Sequence, residues 1–97
     1  MQSVKRLEIV IGALQLKRVV QALQAAGAKG YTVIPGASGA GDRGIRWGDD
    51  PGGSSDNLLL ICVVEIADEE RIVGAVRPML ERFGGICLVT DAKWIHH

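Results

Sequence analysis

Aromatic side chains are nearly missing from this chain: Phe, Tyr and Trp make up 4 % of its 97 residues. Because 47 % of the residues are nevertheless apolar, the core must be assembled from Val, Ile, Leu and Ala, which suits a sheet covered by helices. Charge of one sign is also missing. Eleven Lys and Arg balance eleven Asp and Glu, which excludes the broad basic surface of a nucleic-acid binder and confines any anion site to a local cluster. Cysteine is limited to Cys62 and Cys87, each inside an apolar run and with no CxxC, so both read as small buried hydrophobes and a disulfide framework is excluded. No apolar stretch approaches the ~18 residues of a membrane span. The opening MQSVKRLEIVIG lacks a signal peptide's long apolar core and cleavage site, so the expected location is cytoplasmic. Neither a Walker motif nor GxGxxG occurs.

What is present is one domain over 1–97 with clear periodicities. Residues 4 to 12 alternate around Leu7, Ile9 and Ile11 and read as a strand ended by Gly12. From Leu14 to Ala26 the apolar positions Leu16, Val19, Val20, Leu23 and Ala26 recur at helical spacing, and Gly27 supplies the stop. GYTVI at 30–34 is a second strand, ended or bent by Pro35 and Gly36. LLLICVVEI at 58–66 is a near-continuous apolar strand, followed by the acids of ADEE in the first turn of a second helix. That helix carries Ile72, Val73, Val76, Met79, Leu80 and Phe83 as its core stripe, with Arg71 on the exposed side. Pro78 should bend it by removing a hydrogen bond to Gly74. ICLVT at 86–90 is a fourth strand that AKWIHH could extend. The order implies an α+β, ferredoxin-like βαββαβ domain with a long loop between strands 2 and 3. One sheet face lies under the helices. Leu59, Ile61 and Val63, or their alternates, are left on the other, which predicts burial against further subunits.

The loop itself, GASGAGDRGIRWGDDPGGSSDN at 36–57, holds almost nothing that can pack. Structureless loops of that length are uncommon in compact domains unless they are functional or disordered. Gly39, Gly41, Arg43 and Arg46 put bare backbone and planar guanidinium forks within eight residues, the means of approaching and gripping a phosphate. The same composition also describes a solvated loop with incidental arginines. Trp47 must pack, stack on a base or anchor a partner, whereas Trp94 is expected over the core or a subunit interface. His96 and His97 read as phosphate ligands, metal ligands or a chain end. Asp49, Asp50, Asp56 and Asp68 read as solvated or capping carboxylates.

With the element order in hand, three segments resemble the PII and PII-like signalling proteins. KRLEIVIGALQLKRVVQALQAAGAKGYTV is similar to their opening strand, helix and G-x-T-V strand; 39–55 occupies the place of their T-loop; GGICLVTDAKWI is similar to the final strand after their B-loop. The resemblance implies a trimer that binds adenine nucleotides between subunits and signals through the T-loop. It would place Val10 against the adenine, Thr32 beside the base, and Gly39, Gly41, Arg43 and Arg46 at the phosphates. Gly84 and Gly85 would remain from a B-loop about five residues shorter and without its lysine, and His96 would stand where the family has an arginine. The T-loop lacks the family's glutamine and modifiable tyrosine, so nitrogen sensing is not implied. GYTVIPGASGAGDRGIR resembles instead the PII-like proteins of bicarbonate transport and carboxysomes, with ADP, AMP, ATP or cyclic AMP as ligands and bicarbonate as a further effector. The implied partners are a membrane bicarbonate transporter or a carboxysome-related protein, met through the loop. The leading expectation is a regulator without catalysis or bound cofactor; slow nucleotide hydrolysis and CutA-type metal binding are the rivals.

Overall fold

The computed structural model describes residues 1–41, 44–46 and 56–96, with side chains left out of account at 41 and 44–46. The elements are β1 Gln2–Gly12, α1 Leu16–Ala25, β2 Thr32–Ala37, β3 Gly39–Gly41, β4 Gly44–Arg46, β5 Asn57–Val64, α2 Glu69–Phe83 and β6 Ile86–Trp94. Short 3-10 turns at Ala13–Gln15 and Ile66–Asp68 lead into the two helices. Four strands form one antiparallel sheet in the order β2-β5-β1-β6, so each helix crosses over a strand supplied by the other half of the chain. This is the ferredoxin-like arrangement expected from the pattern.

Strand alternation divides the sheet sharply. Leu7, Ile9 and Ile11 of β1 and Leu58, Leu60, Cys62 and Val64 of β5 are buried under the helices, which answer with Val19, Leu23, Ile72 and Val76. Each such side chain contributes roughly 1.5–3 kcal/mol on leaving water. Leu59, Ile61 and Val63 fall on the opposite face, as predicted, together with Ile34, Ile86, Leu88 and Trp94 across the paired strands. Those last four keep 46 %, 54 %, 54 % and 44 % of their surface exposed; the Arg6–Glu8 ion pair shares this face with them, and the large apolar side chains around it mark a surface for association.

Several boundaries differ from the sequence reading. β2 starts at Thr32 and continues through Pro35 to Ala37, because a register shift at Gly36, where φ is +81°, absorbs the proline instead of ending the strand. β5 stops at Val64 rather than Ile66, whose side chain is exposed in the following turn. β6 runs on to Trp94, the extension that AKWIHH offered, since its residues 91–94 pair with Gln2–Lys5. The loop is not wholly structureless: β3 and β4 pair as Gly39↔Arg46, Ala40↔Ile45 and Gly41↔Gly44. Pairing needs only backbone, so the search for packing residues missed it. Pro78 sits inside a single continuous α2. The bond it forgoes would reach Gly74, which is exposed, so water can serve that carbonyl. Phe83 is only half-buried and lies 5.1 Å from both the Arg18 and Arg82 guanidiniums.

Candidate functional site

A concavity of about 450 Å³ opens on the uncovered sheet face where β2 begins and β1 begins. Its floor is apolar, made by Val4, Ile61 and Val63; its mouth carries Tyr31 and Trp94, each nearly half exposed. Thr32 and His96 line it with Gln2, Lys29, Glu65 and Asp68. The chain shape explains the hollow. α1 ends at Ala25, and residues 27–31 leave the helix layer before β2 pairs at Thr32↔Ile61, so the end of β5 has a loop rather than a strand beside it.

That loop is pinned at each step. Gly27 N–H donates to the Gln24 carbonyl at 3.1 Å and Ala28 N–H to that of Leu23 at 2.9 Å, closing the helix end with Gly27 at φ +102°. The Cys62 thiol reaches the Gly30 carbonyl at 3.3 Å. Burial pushes the Cys62 thiol above its ordinary value, so it keeps the proton it donates. On the opposite wall, the Trp94 and His96 rings stack within 5° of parallel at 5.7 Å, and His96 Nε2 meets Gln2 Oε1 at 2.8 Å. Trp94, expected over the core or a subunit interface, stands at the rim of the hollow.

The residues picked from the sequence do not gather in one place within the chain. Val10 pairs with Leu59 and Ile86 two residues further along the sheet than the Thr32 rung, and Gly85 packs its backbone against the Val10 carbonyl. Gly84 follows α2 with φ +82° and ψ −177°, a conformation open essentially to glycine alone. Gly39, Gly41 and Arg46 belong to the hairpin beyond the end of β2, whereas Arg43, Trp47, Asp49, Asp50 and His97 lie outside the described residues. His96 is bonded to Gln2, eight residues before Val10 on β1, which at ~3.4 Å per residue puts them about 27 Å apart. Two half-sites result: the Gln2–His96 end of the hollow at one end of the sheet, and Val10, Gly84 and Gly85 toward the other with the hairpin beyond; Thr32, on the rung of Glu8, stands between them, two residues from Val10 along the strands.

Sequence reasoning missed Tyr31, Ile61, Val63 and Gln2 as lining residues. Tyr31 could have been found as the large neighbour of Thr32. Gln2 offers no signal before the register is known. Asp68 carries no cap bond to the backbone and instead pairs with Arg71 at 2.7 Å. Among the described residues no three His, Cys, Asp or Glu side chains are placed to hold a metal.

The family model described as nitrogen regulatory protein P-II matches residues 4–97. The chain belongs to the P-II family. Its fold superposes on CPII, a nitrogen regulatory PII-like protein from Thiomonas intermedia K12 bound to ADP, AMP and bicarbonate, with a TM-score of 0.86 and 26 % identity, covering 94 % of this chain and 87 % of that one. A putative PII-like signalling protein from Thermus thermophilus matches with a TM-score of 0.77 and 30 % identity over 93 % and 87 % of the two chains. The B. subtilis GlnK–ATP complex, at 16 % identity, shares the fold with a TM-score of 0.66 over 93 % and 82 %. Among curated proteins nothing matches. The chain is thus a P-II family protein of the PII-like kind, similar to CPII. No described helix is long and apolar enough to cross a membrane.

Proposed function

We propose that this P-II family protein is a homotrimeric regulator that binds adenine nucleotides in clefts between subunits, the base in the hollow of one protomer and the phosphates on the Gly84–Gly85 turn and hairpin of the next. The observation that carries this reading is the separation of the two half-sites. An apolar floor with an aromatic mouth suits a purine, Gly-rich backbone with arginines suits phosphates, and within one chain the Gln2–His96 end of the hollow lies about 27 Å along β1 from Val10, against which the Gly85 turn packs. The exposed apolar face of Ile34, Ile86 and Leu88 supplies the surface through which protomers would associate. The short turn after α2 offers little to a third phosphate, so ADP and AMP are favoured over ATP. Neighbours bound to ADP, AMP and bicarbonate support both the nucleotide and bicarbonate as effectors, and with them a role in inorganic-carbon metabolism. In this reading the loop carries the signal to a membrane bicarbonate transporter or a carboxysome-related protein, and no catalytic step is required.

Calorimetric titration with ADP, AMP, ATP and cyclic AMP, with and without bicarbonate, tests this. Loss of Arg43 or Arg46 should weaken binding by ~1.5–3 kcal/mol, about ten- to a hundredfold, and lysine should not fully restore it because a point charge lacks the guanidinium fork. Unchanged affinity in both alanine variants would remove the phosphate role from the hairpin. A strong ATP preference would show that the short turn holds a third phosphate after all.

A further inference from the structure

Arg71, an exposed and idle helix residue on the sequence pattern alone, bridges two elements in the fold. Its Nε donates to the Ala26 carbonyl at 2.6 Å and its Nη2 to Asp68 Oδ1 at 2.7 Å. Ala26 is the C-cap of α1, where carbonyls lack intrahelical partners and a cation complements the helix dipole. The chain then reverses directly against the guanidinium: a Cβ on Gly27 would lie 3.0 Å from Arg71 Nη2. Gly27, Ala28 and Asp68 all line the hollow, so the clasp sits behind its wall without entering it.

We infer that Arg71 is a positioning residue for the base pocket, fixing the 27–31 wall opposite Ile61 and Val63 by tying the end of α1 to the start of α2. The assignment rests on the base-pocket reading given under Proposed function. Two acceptors on separate elements need a rigid fork; an ammonium group reaches one at a time. Without the clasp, the loop keeps its own backbone bonds at Gly27 and Ala28 but loses its tie to α2, so opening of this segment becomes local rather than global.

The test is amide hydrogen exchange on ligand-free wild type, Arg71→Ala and Arg71→Lys, followed by ADP titration of each. In Arg71→Ala the Gly27 and Ala28 amides should exchange at least about tenfold faster while those of Leu7 and Ile9 keep their rates, and ADP affinity should fall about tenfold. Arg71→Lys should recover part of both. Unchanged exchange at Gly27 and Ala28 overturns the inference. So does equal acceleration at Leu7 and Ile9, which would make Arg71 merely stabilising, and so does unchanged ADP affinity in a variant whose wall has loosened. Wild type failing to bind ADP would bring down the nucleotide reading, and with it the role assigned to Arg71. Should Arg71→Ala not fold, Asp68→Asn, which removes the charge from one arm of the fork, carries the same exchange readout.

Discussion

Replacing Gly85 by alanine places a methyl group where the fold has no room. Gly85 has φ +110°, outside the range L-residues adopt without strain, at a cost of ~1–3 kcal/mol. The added Cβ would come well inside 3.0 Å of the Val10 carbonyl oxygen and within 3.2 Å of Ile11 Cγ2 and 3.3 Å of Leu80 Cδ2. The oxygen belongs to β1, held by β5 on one side and β6 on the other, so it cannot swing aside as a side-chain tip would. Overpacking of this kind costs a further ~1–3 kcal/mol. The total, about 2–6 kcal/mol, is a large share of the ~5–15 kcal/mol that holds a domain folded. Urea unfolding at fixed protomer concentration is the assay, because association adds to apparent stability. With a slope of about 1–3 kcal/mol per molar, the midpoint should fall by on the order of 1–2 M. Gly30→Ala is the control: Gly30 has no positive φ and open space where its Cβ would go, so a change within about 0.5 kcal/mol is expected. A Gly85→Ala midpoint no lower than that of Gly30→Ala would refute the reasoning.

Gly74 is exposed in the middle of α2 with nothing near its absent Cβ, so Gly74→Ala should raise stability by about 0.5–1 kcal/mol, read as a higher thermal midpoint. Cys62 and Cys87 are both held above the ordinary thiol value, chiefly by burial, and Lys5 is raised chiefly by its hydrogen bond to Asp91. A raised value in the folded state means stability that is whole below the unfolded value and is lost as pH rises through the folded one. Urea midpoints should therefore hold up to about pH 8.5 and decline above it, with Lys5 adding to the decline beyond about pH 10.4; a flat profile from pH 7 to 11 would contradict this.

The architecture was legible because the two apolar periods are strong: alternation in β1 and the 3.6-residue stripe of α1 and α2 each allow one partner face. Boundaries failed where backbone rather than side chains decided. Pro35 and Gly36 read as ending or bending the strand, and only the positive φ of Gly36 decides between the two: β2 continues past the proline through a register shift. Gly39–Gly41 and Gly44–Arg46, three residues each and half glycine, are too short to show an apolar alternation and pair all the same. At the site, Thr32 and His96 were named without any means of knowing that one hollow joins them, since their meeting depends on the β1–β5 and β1–β6 registers. Arg71 reads as exposed and is exposed, but the bond it makes was not legible for a related reason. Its acceptor, the Ala26 carbonyl, is a backbone atom that no residue pattern marks.

If each cleft takes its base pocket from one protomer and its phosphate contacts from the next, two damaged protomers can restore one another. His96→Ala damages the pocket end and Arg46→Ala the hairpin, at whose foot Arg46 pairs with Gly39. A homotrimer of either variant has the same defect in every cleft. When the two are co-expressed in equal amounts and associate at random, a cleft is whole if its pocket comes from an Arg46→Ala protomer and its hairpin from a His96→Ala protomer. Each condition holds half the time, so about one quarter of clefts should bind ADP as tightly as wild type does. Purification through both tags removes the homotrimers, and each remaining heterotrimer has one whole cleft of three, so calorimetry should then show a tight phase at about one third of the wild-type stoichiometry and a weaker remainder. Were the site built within one chain, every protomer in the mixture would still carry one defect, and no tight phase could form. A mixture without tight sites, made from variants that each bind weakly alone and assemble normally, would place His96 and Arg46 in a single protomer's site and overturn the division of the cleft between subunits.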